Sequence, residues 1–199
     1  MHTDVDLEGV EDEEFFFDEK PALKNEQVQT ITPQENNSDK KIDSSEILLK
    51  SPVHRIADLK TEDQCLLERA GYVKKEFVPL GKTRREPYYV QKQKTSLEHT
   101  FVVYDIVKKL QPIVKSIEVT QNQDIKIFHK GNYYALTVVT PSDLHKHHKL
   151  TAHAKTLTKT FGANWWFVTT KSAYAKSFGR YGVTITRNQI DDWIQENFS

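Results

Sequence analysis

The charges of this chain are sorted along its length, and that sorting limits what each part can fold into. Residues 1–45 carry thirteen acids and four bases, a net of −9, and the remainder carries the matching excess of +9. A segment with that much like charge and few apolar residues cannot bury enough surface to offset the entropy of ordering it. Asp4 to Glu19 holds nine acids and no base, and residues 21–43 bring Pro21, Pro33 and a polar Gln34–Ser38 run without apolar periodicity. Residues 1–43 are therefore predicted to be a disordered acidic tail. Phe15, Phe16 and Phe17 break its composition. Either they pack on the chain's own body, or they form a short linear motif whose Phe enters a partner's pocket while the flanking acids meet a basic rim.

The 37% share of hydrophobic residues agrees with a chain that is only partly a packed core. No apolar run reaches the roughly 18 residues of a membrane span. The stretch from Met1 to Phe17 is acidic where a secretory leader is basic and apolar. The single cysteine, Cys65, excludes an internal disulfide framework and a cysteine-based zinc finger, and the expected setting is a reducing cytoplasm. There is no Gly-rich phosphate loop, no Gly-x-Ser-x-Gly elbow and no His-Glu-x-x-His.

Residues 44–95 are predicted to form a winged helix-turn-helix. A first helix carries Ile47, Leu48 and Leu49. Pro52 is placed to open a second with Val53, Ile56 and Leu59. Thr61-Glu62-Asp63-Gln64 reads as the capping box of a third helix, which Gly71 stops. Tyr72–Val78 and Tyr88–Val90 then flank the basic loop 79–87 as strand, loop, strand. Leu66-Leu67-Glu68-Arg69-Ala70-Gly71-Tyr72-Val73 resembles the end of a recognition helix entering a wing.

Residues 96–199 are predicted to form an α/β unit. Leu97–Leu110 is a mostly buried helix ended by Pro112. Strands follow at 113–120 and 124–129, with a tight turn at Lys130-Gly131-Asn132. Tyr133–Thr140 is almost wholly apolar, the pattern of a central strand buried on both faces. A long helix runs from Pro141 to about Phe161, and Trp165–Thr169 is a fourth strand. A short helix near 173–178 and a small strand at 183–185 come next. Thr186-Arg187-Asn188-Gln189 is a capping box opening a last helix, with Ile190, Trp193, Ile194 and Phe198 on one stripe.

The order α-β-β-β-α-β is that of restriction-endonuclease-like nucleases. The resemblance implies a metal-holding Asp at the start of the second strand, here Asp124, and an acid and a Lys on the third. The third strand offers Ala135 and Thr137 on one face and Leu136 and Val138 on the other, so neither is present. The reading is a nuclease-like fold without nuclease chemistry and without a cofactor. The alternative is a metal-dependent nuclease completed by Glu98 or Glu118. Across residues 45–199 the layout resembles the replication-relaxation family of plasmid and conjugative-element accessory proteins. The motifs are the Leu-Glu-x-x-Gly-Tyr-Val wing entry, Ser96-Leu97-Glu98-His99, the Asp124 strand and the Thr186-Arg187 helix start. That resemblance implies binding of double-stranded DNA near a transfer origin, in a relaxosome-type assembly, to help a relaxase act. A coupling protein or replication factor is a further candidate partner of the tail.

The expected DNA-binding residues are Lys74, Lys75, Lys82, Arg84, Arg85, Lys92 and Lys94, against only Glu76 and Glu86 between positions 74 and 94. Gln64 and Arg69 are the third-helix residues suited to base edges. Lys146 and Lys149 extend the surface. His145, His147, His148 and His153, interleaved with Lys146, Lys149, Lys155 and Lys159, read as a solvated, phosphate-facing helix rather than a zinc site. A protein adaptor, whose basic surfaces serve acidic partners, is the remaining alternative.

Overall fold

The computed structural model describes residues 44–120 and 125–198. The expectations for the tail, for Phe15–Phe17 and for Asp124 lie outside the described residues. The described part is a mixed α/β structure of six helices and two sheets, all within one compact unit that spans residues 41–199.

The first sheet has three antiparallel strands in the order β1 (Val53–Arg55), β3 (Glu86–Gln91), β2 (Tyr72–Phe77). Helix α1 (Ser44–Lys50) precedes it, and α2 (Thr61–Arg69) lies between β1 and β2. The helix predicted after Pro52 is instead β1 followed by one 3-10 turn, Ile56–Asp58. Val53 pairs with Val90 across the sheet and is fully buried, so a non-local partner overrides a short helical period. α2 begins one residue earlier than predicted, with Lys60 and not Thr61 at the N-cap. Thr61 is its first helical residue, and the Asp63 carboxylate accepts the amide of Lys60 at 3.2 Å. Gly71, at φ +83°, turns the chain from α2 into β2 as expected.

The second sheet has five strands in sequence order: β4 (Ser116–Glu118), β5 (Ile125–His129), β6 (Asn132–Val139), β7 (Trp165–Thr169), β8 (Thr184–Thr186). The first three run antiparallel, and β6, β7 and β8 are parallel. The long apolar strand is thus the middle one, as its composition predicts. Lys130 and Gly131, both at positive φ, form the two-residue turn that joins β5 to β6. Of the predicted 113–120 strand, Ser116–Glu118 forms β4, an edge strand that pairs with β5.

Each face of this sheet carries helices. Leu136 and Val138 join Ile125, Ile127 and Val168 against α3 (Leu97–Leu110) and α6 (Ile190–Phe198). All four residues of the predicted α6 stripe are buried there. Ala135, Val139, Trp165 and Phe167 pack against α4 (His147–Phe161) and α5 (Ala175–Phe178) on the other face. Val53, Phe77, Tyr88 and Val90 of the first sheet belong to the same cluster as α3 and α6. Phe101 makes that junction. It stacks on Phe77 at 4.3 Å between ring centres and takes the edge of Tyr88 at 4.9 Å. Burying a side chain of that size contributes about 2–3 kcal/mol, so the two sheets are held by a shared core.

The predicted helix from Pro141 to Phe161 is two pieces. Pro141–His145 is a 3-10 turn, Lys146 leaves helical geometry at φ −108° and ψ 52°, and α4 starts at His147. The Asp143 carboxylate closes the turn by accepting the amide and hydroxyl of Thr140 at 2.9 and 2.8 Å. His145 is therefore off the helix that carries His147, His148 and His153.

Candidate nucleic-acid interface and an adjoining cleft

The loop between β2 and β3 carries the strongest expected contacts, and the structure sorts them. Glu86 gathers two cations, Lys82 at 2.7 Å and Arg55 at 2.8 Å. The hydrogen bond from Lys82 leads the effects that hold the Glu86 carboxyl below its ordinary range. Arg84 and Arg85 are exposed, and among the described residues neither has an ion pair or side-chain hydrogen bond. They are the free cations of the tip. Lys74, Lys92 and Lys94 are exposed, and Lys75 lies 5.7 Å from the Phe77 ring centre.

The α2 surface is a poorer reader of bases. Gln64 is half-buried and donates to the Leu59 carbonyl at 3.4 Å. Arg69 is exposed, beside exposed Glu62 and Glu68. The two strand tyrosines, Tyr88 and Tyr89, are buried and make their contacts within the fold. Tyr89 donates to Glu68 at 2.5 Å, a bond that pushes its hydroxyl up to about 12. Tyr88 is turned into the core toward Phe101, and burial pushes it up to about 12 as well.

A second basic surface lies on α4 and α5. From Leu144 to Ile190 the chain has six lysines, two arginines and no carboxylate. The basic surface expected from the sequence takes in Lys146 to Lys159 of this stretch and passes over Lys171, Lys176 and Arg180. Lys146 pairs with Asp143 at 3.0 Å. Lys149, Lys155, Lys159, Lys171, Lys176 and Arg180 are all exposed, without an ion pair among the described residues. Lys155, Lys159 and Arg180 border a shallow hollow floored by Ala154 and Tyr181. The histidines scatter. His147 meets the Tyr181 hydroxyl, and His153 lies 3.3 Å from the buried Thr137 hydroxyl. Among the described residues no three His, Cys, Asp or Glu side chains converge as a metal site.

Between the two basic surfaces lies a cleft of about 350 Å³. Its walls are Val78–Lys82 of the hairpin loop, Thr170–Ala173 after β7 and Thr186–Asn188 at the start of α6. It sits beyond the C-terminal ends of two parallel strands, the usual ligand position of an open α/β sheet. Arg187 builds it. Its guanidinium donates to the Val78 carbonyl, lies 3.5 Å from Asp105 of α3 and covers the Phe101 ring at 5.6 Å. Asp105 also accepts the Leu80 amide at 2.6 Å. Burial pushes the Asp105 carboxyl up, against the opposing pull of Leu80 and Arg187, and burial likewise pushes Arg187 down.

Sequence reasoning missed this Asp105–Arg187 clamp, although two signals for it exist. Asp105 interrupts the apolar run Phe101–Val107 of α3, and Arg187 stands at a helix start, where the macrodipole disfavours a cation. Among known proteins, no family model, no curated protein and no solved structure matches this chain.

Proposed function

We propose that this chain is a non-catalytic accessory protein that binds double-stranded DNA through its backbone. The observation that carries the reading is a pair of basic surfaces whose cations mostly have no ion pair among the described residues: Arg84 and Arg85 at the hairpin tip, and the α4–α5 face, whose stretch 144–190 has no carboxylate. Free cations at protein spacing are what a polyphosphate needs, and their sequence-independent contacts position a protein without reading bases. The lack of a suitable α2 face supports wing-led contact with little base readout. In this reading residues 44–95 act as a winged helix-turn-helix and residues 96–199 as a degenerate nuclease-like platform. The setting is the cytoplasm, in plasmid or conjugative-element mobilisation, as in the replication-relaxation family that the sequence resembles. The tail, through Phe15–Phe17, docks a relaxase, coupling protein or replication factor. Among the described residues no helix is long and apolar enough to cross a membrane, which suits a DNA-side role.

A gel-shift series with a random duplex at rising salt tests the proposal. Neutralising about six phosphates gives a slope of log K against log salt near −5. Arg84→Ala with Arg85→Ala should flatten that slope by roughly 2. No shift at low salt, or a shift indifferent to salt, would overturn DNA binding in favour of the adaptor. Mg²⁺-dependent cleavage that Asp124→Ala abolishes would instead establish the nuclease.

A further inference from the structure

The cleft between the hairpin loop and the ends of β7 and β8 holds polar atoms that the fold leaves unused. Thr170 is 8% exposed, and its hydroxyl has no hydrogen-bond partner among the described residues. The buried Nε of Arg187 is in the same condition. The neighbouring threonines are satisfied: Thr169 donates to the Lys171 carbonyl at 2.9 Å, and the Thr186 hydroxyl donates to Gln189 at 2.9 Å. Buried polar groups are normally paired, so two orphans on one cleft are an exception that asks for a ligand.

The charge around them has one sign. Lys82, Lys171 and Arg187 line the cleft, and among the described residues no carboxylate does. Lys171 is exposed without an ion pair among the described residues. Lys82 spends one of its three donors on Glu86. The two carboxylates behind the wall are committed, Asp105 to Arg187 and Asp191 to Lys109. Ser172 and Asn188 add uncharged donors.

We propose that this cleft binds a phosphate group, held by Lys171, Lys82 and the Thr170 hydroxyl over the fixed charge of Arg187. Its volume is at the lower end of the range for small-molecule sites, roughly 300–1,000 Å³. That leaves room for a phosphate carried on a nucleoside. The site shares only Lys171 with the second basic surface and does not use Arg84 or Arg85, so binding of inorganic phosphate is read separately from duplex binding.

Calorimetric titration of the full chain with inorganic phosphate, adenosine 5′-monophosphate and adenosine tests it. Phosphate and the nucleotide should bind and adenosine should not. A nucleotide affinity at least tenfold above that of phosphate identifies a nucleotide as the source, and equal affinities identify the free anion. Lys171→Gln and Thr170→Val should each weaken binding at least fivefold, whereas the Arg84→Ala, Arg85→Ala double variant should bind as wild type. Thr170→Val should also melt no lower than wild type without phosphate, since it removes an unpaired hydroxyl and keeps the shape. Adenosine binding as well as its monophosphate would overturn the proposal. So would unchanged affinity in Lys171→Gln and Thr170→Val, or a lower melting temperature for Thr170→Val, which would mark that hydroxyl as structural.

Discussion

Replacing Arg187 with Met removes the cation that ties the hairpin loop to α3 while keeping most of the side chain's bulk. Three interactions go with it. The charge-assisted bond to the Val78 carbonyl is of a kind that contributes about 1.5–3 kcal/mol. The guanidinium over Phe101 contributes about 0.5–1 kcal/mol. The third loss is the countercharge of Asp105, whose side chain is only 15% exposed. Removing one partner of a fully buried pair costs about 3–5 kcal/mol. Partial exposure and the remaining Leu80 amide bond place this one near the lower limit, so Arg187→Met should lose about 3 kcal/mol at neutral pH. Adding Asp105→Asn removes the stranded charge yet still lets an amide oxygen accept from Leu80. The double variant should recover at least about 1 kcal/mol relative to the sum of the singles. The pH dependence has a definite sign. The folded-state pKa of Asp105 already lies above its ordinary 3.8, so its contribution is fully present below that value and is lost as pH rises through the folded pKa. Without Arg187 the folded pKa rises further, and the Arg187→Met deficit should shrink as pH is lowered toward the ordinary carboxylate range. Urea unfolding followed by tryptophan fluorescence at two pH values measures all of this. A loss below about 1 kcal/mol, additive double-variant losses, or a deficit that widens in acid would refute the clamp.

Other expectations follow from single contacts. A Cβ on Gly182 would overlap the Trp165 indole, which is buried and donates to Thr158 at 3.1 Å, so Gly182→Ala should cost about 1–3 kcal/mol in chemical denaturation. Asp143→Ala opens the turn before α4 and should cost about 1–2 kcal/mol at pH 7. Burial opposes the charge of Asp143, but Thr140 and Lys146 outweigh it and hold the carboxyl below 3.8. Its stabilisation is therefore present above that value and fades as pH falls through the folded pKa, and wild type and variant should converge in acid. Deleting residues 1–43 removes thirteen acids and four bases, a net charge of −9, and a tethered competitor of that charge would act on the same cations at an effective concentration on the order of mM. The deletion should tighten nonspecific duplex binding in the gel shift, and equal affinity would dispose of the competition.

What could be read from the sequence was whatever local periodicity decides. The α3 and α6 stripes, the apolar β6 and the Thr186–Gln189 cap all stand where their patterns put them. Val53 to Leu59 was misread because three apolar residues at helical spacing fit a short helix as well as a strand. Only the pairing of Val53 with Val90, thirty-seven positions away in the chain numbering, breaks the tie. The break at Lys146 depends on which acceptor takes the Thr140 amide, and propensity does not see that choice. The cleft is the extreme case. Its walls come from positions near 80, 171 and 187, and no window of sequence contains them together.

The shared core bears on how the basic surfaces can act. Hairpin cations on a hinged module would contact phosphate independently of the α4–α5 face and adapt to any duplex. Here Phe77 and Tyr88 are packed on Phe101, and the loop at Val78 and Leu80 is fastened by Arg187 and Asp105. Loosening that fastening by Arg187→Met leaves every proposed phosphate contact of the hairpin tip and the α4–α5 face in place but no longer fixes their spacing. Affinity should then fall at constant salt slope, because the number of neutralised phosphates is unchanged while their alignment must be ordered on binding. The Arg84→Ala, Arg85→Ala variant should do the opposite and change the slope itself. A flatter slope in Arg187→Met would mean that Arg187 contacts phosphate directly, and the distinction between a clamp and a contact would have to be redrawn in favour of the contact.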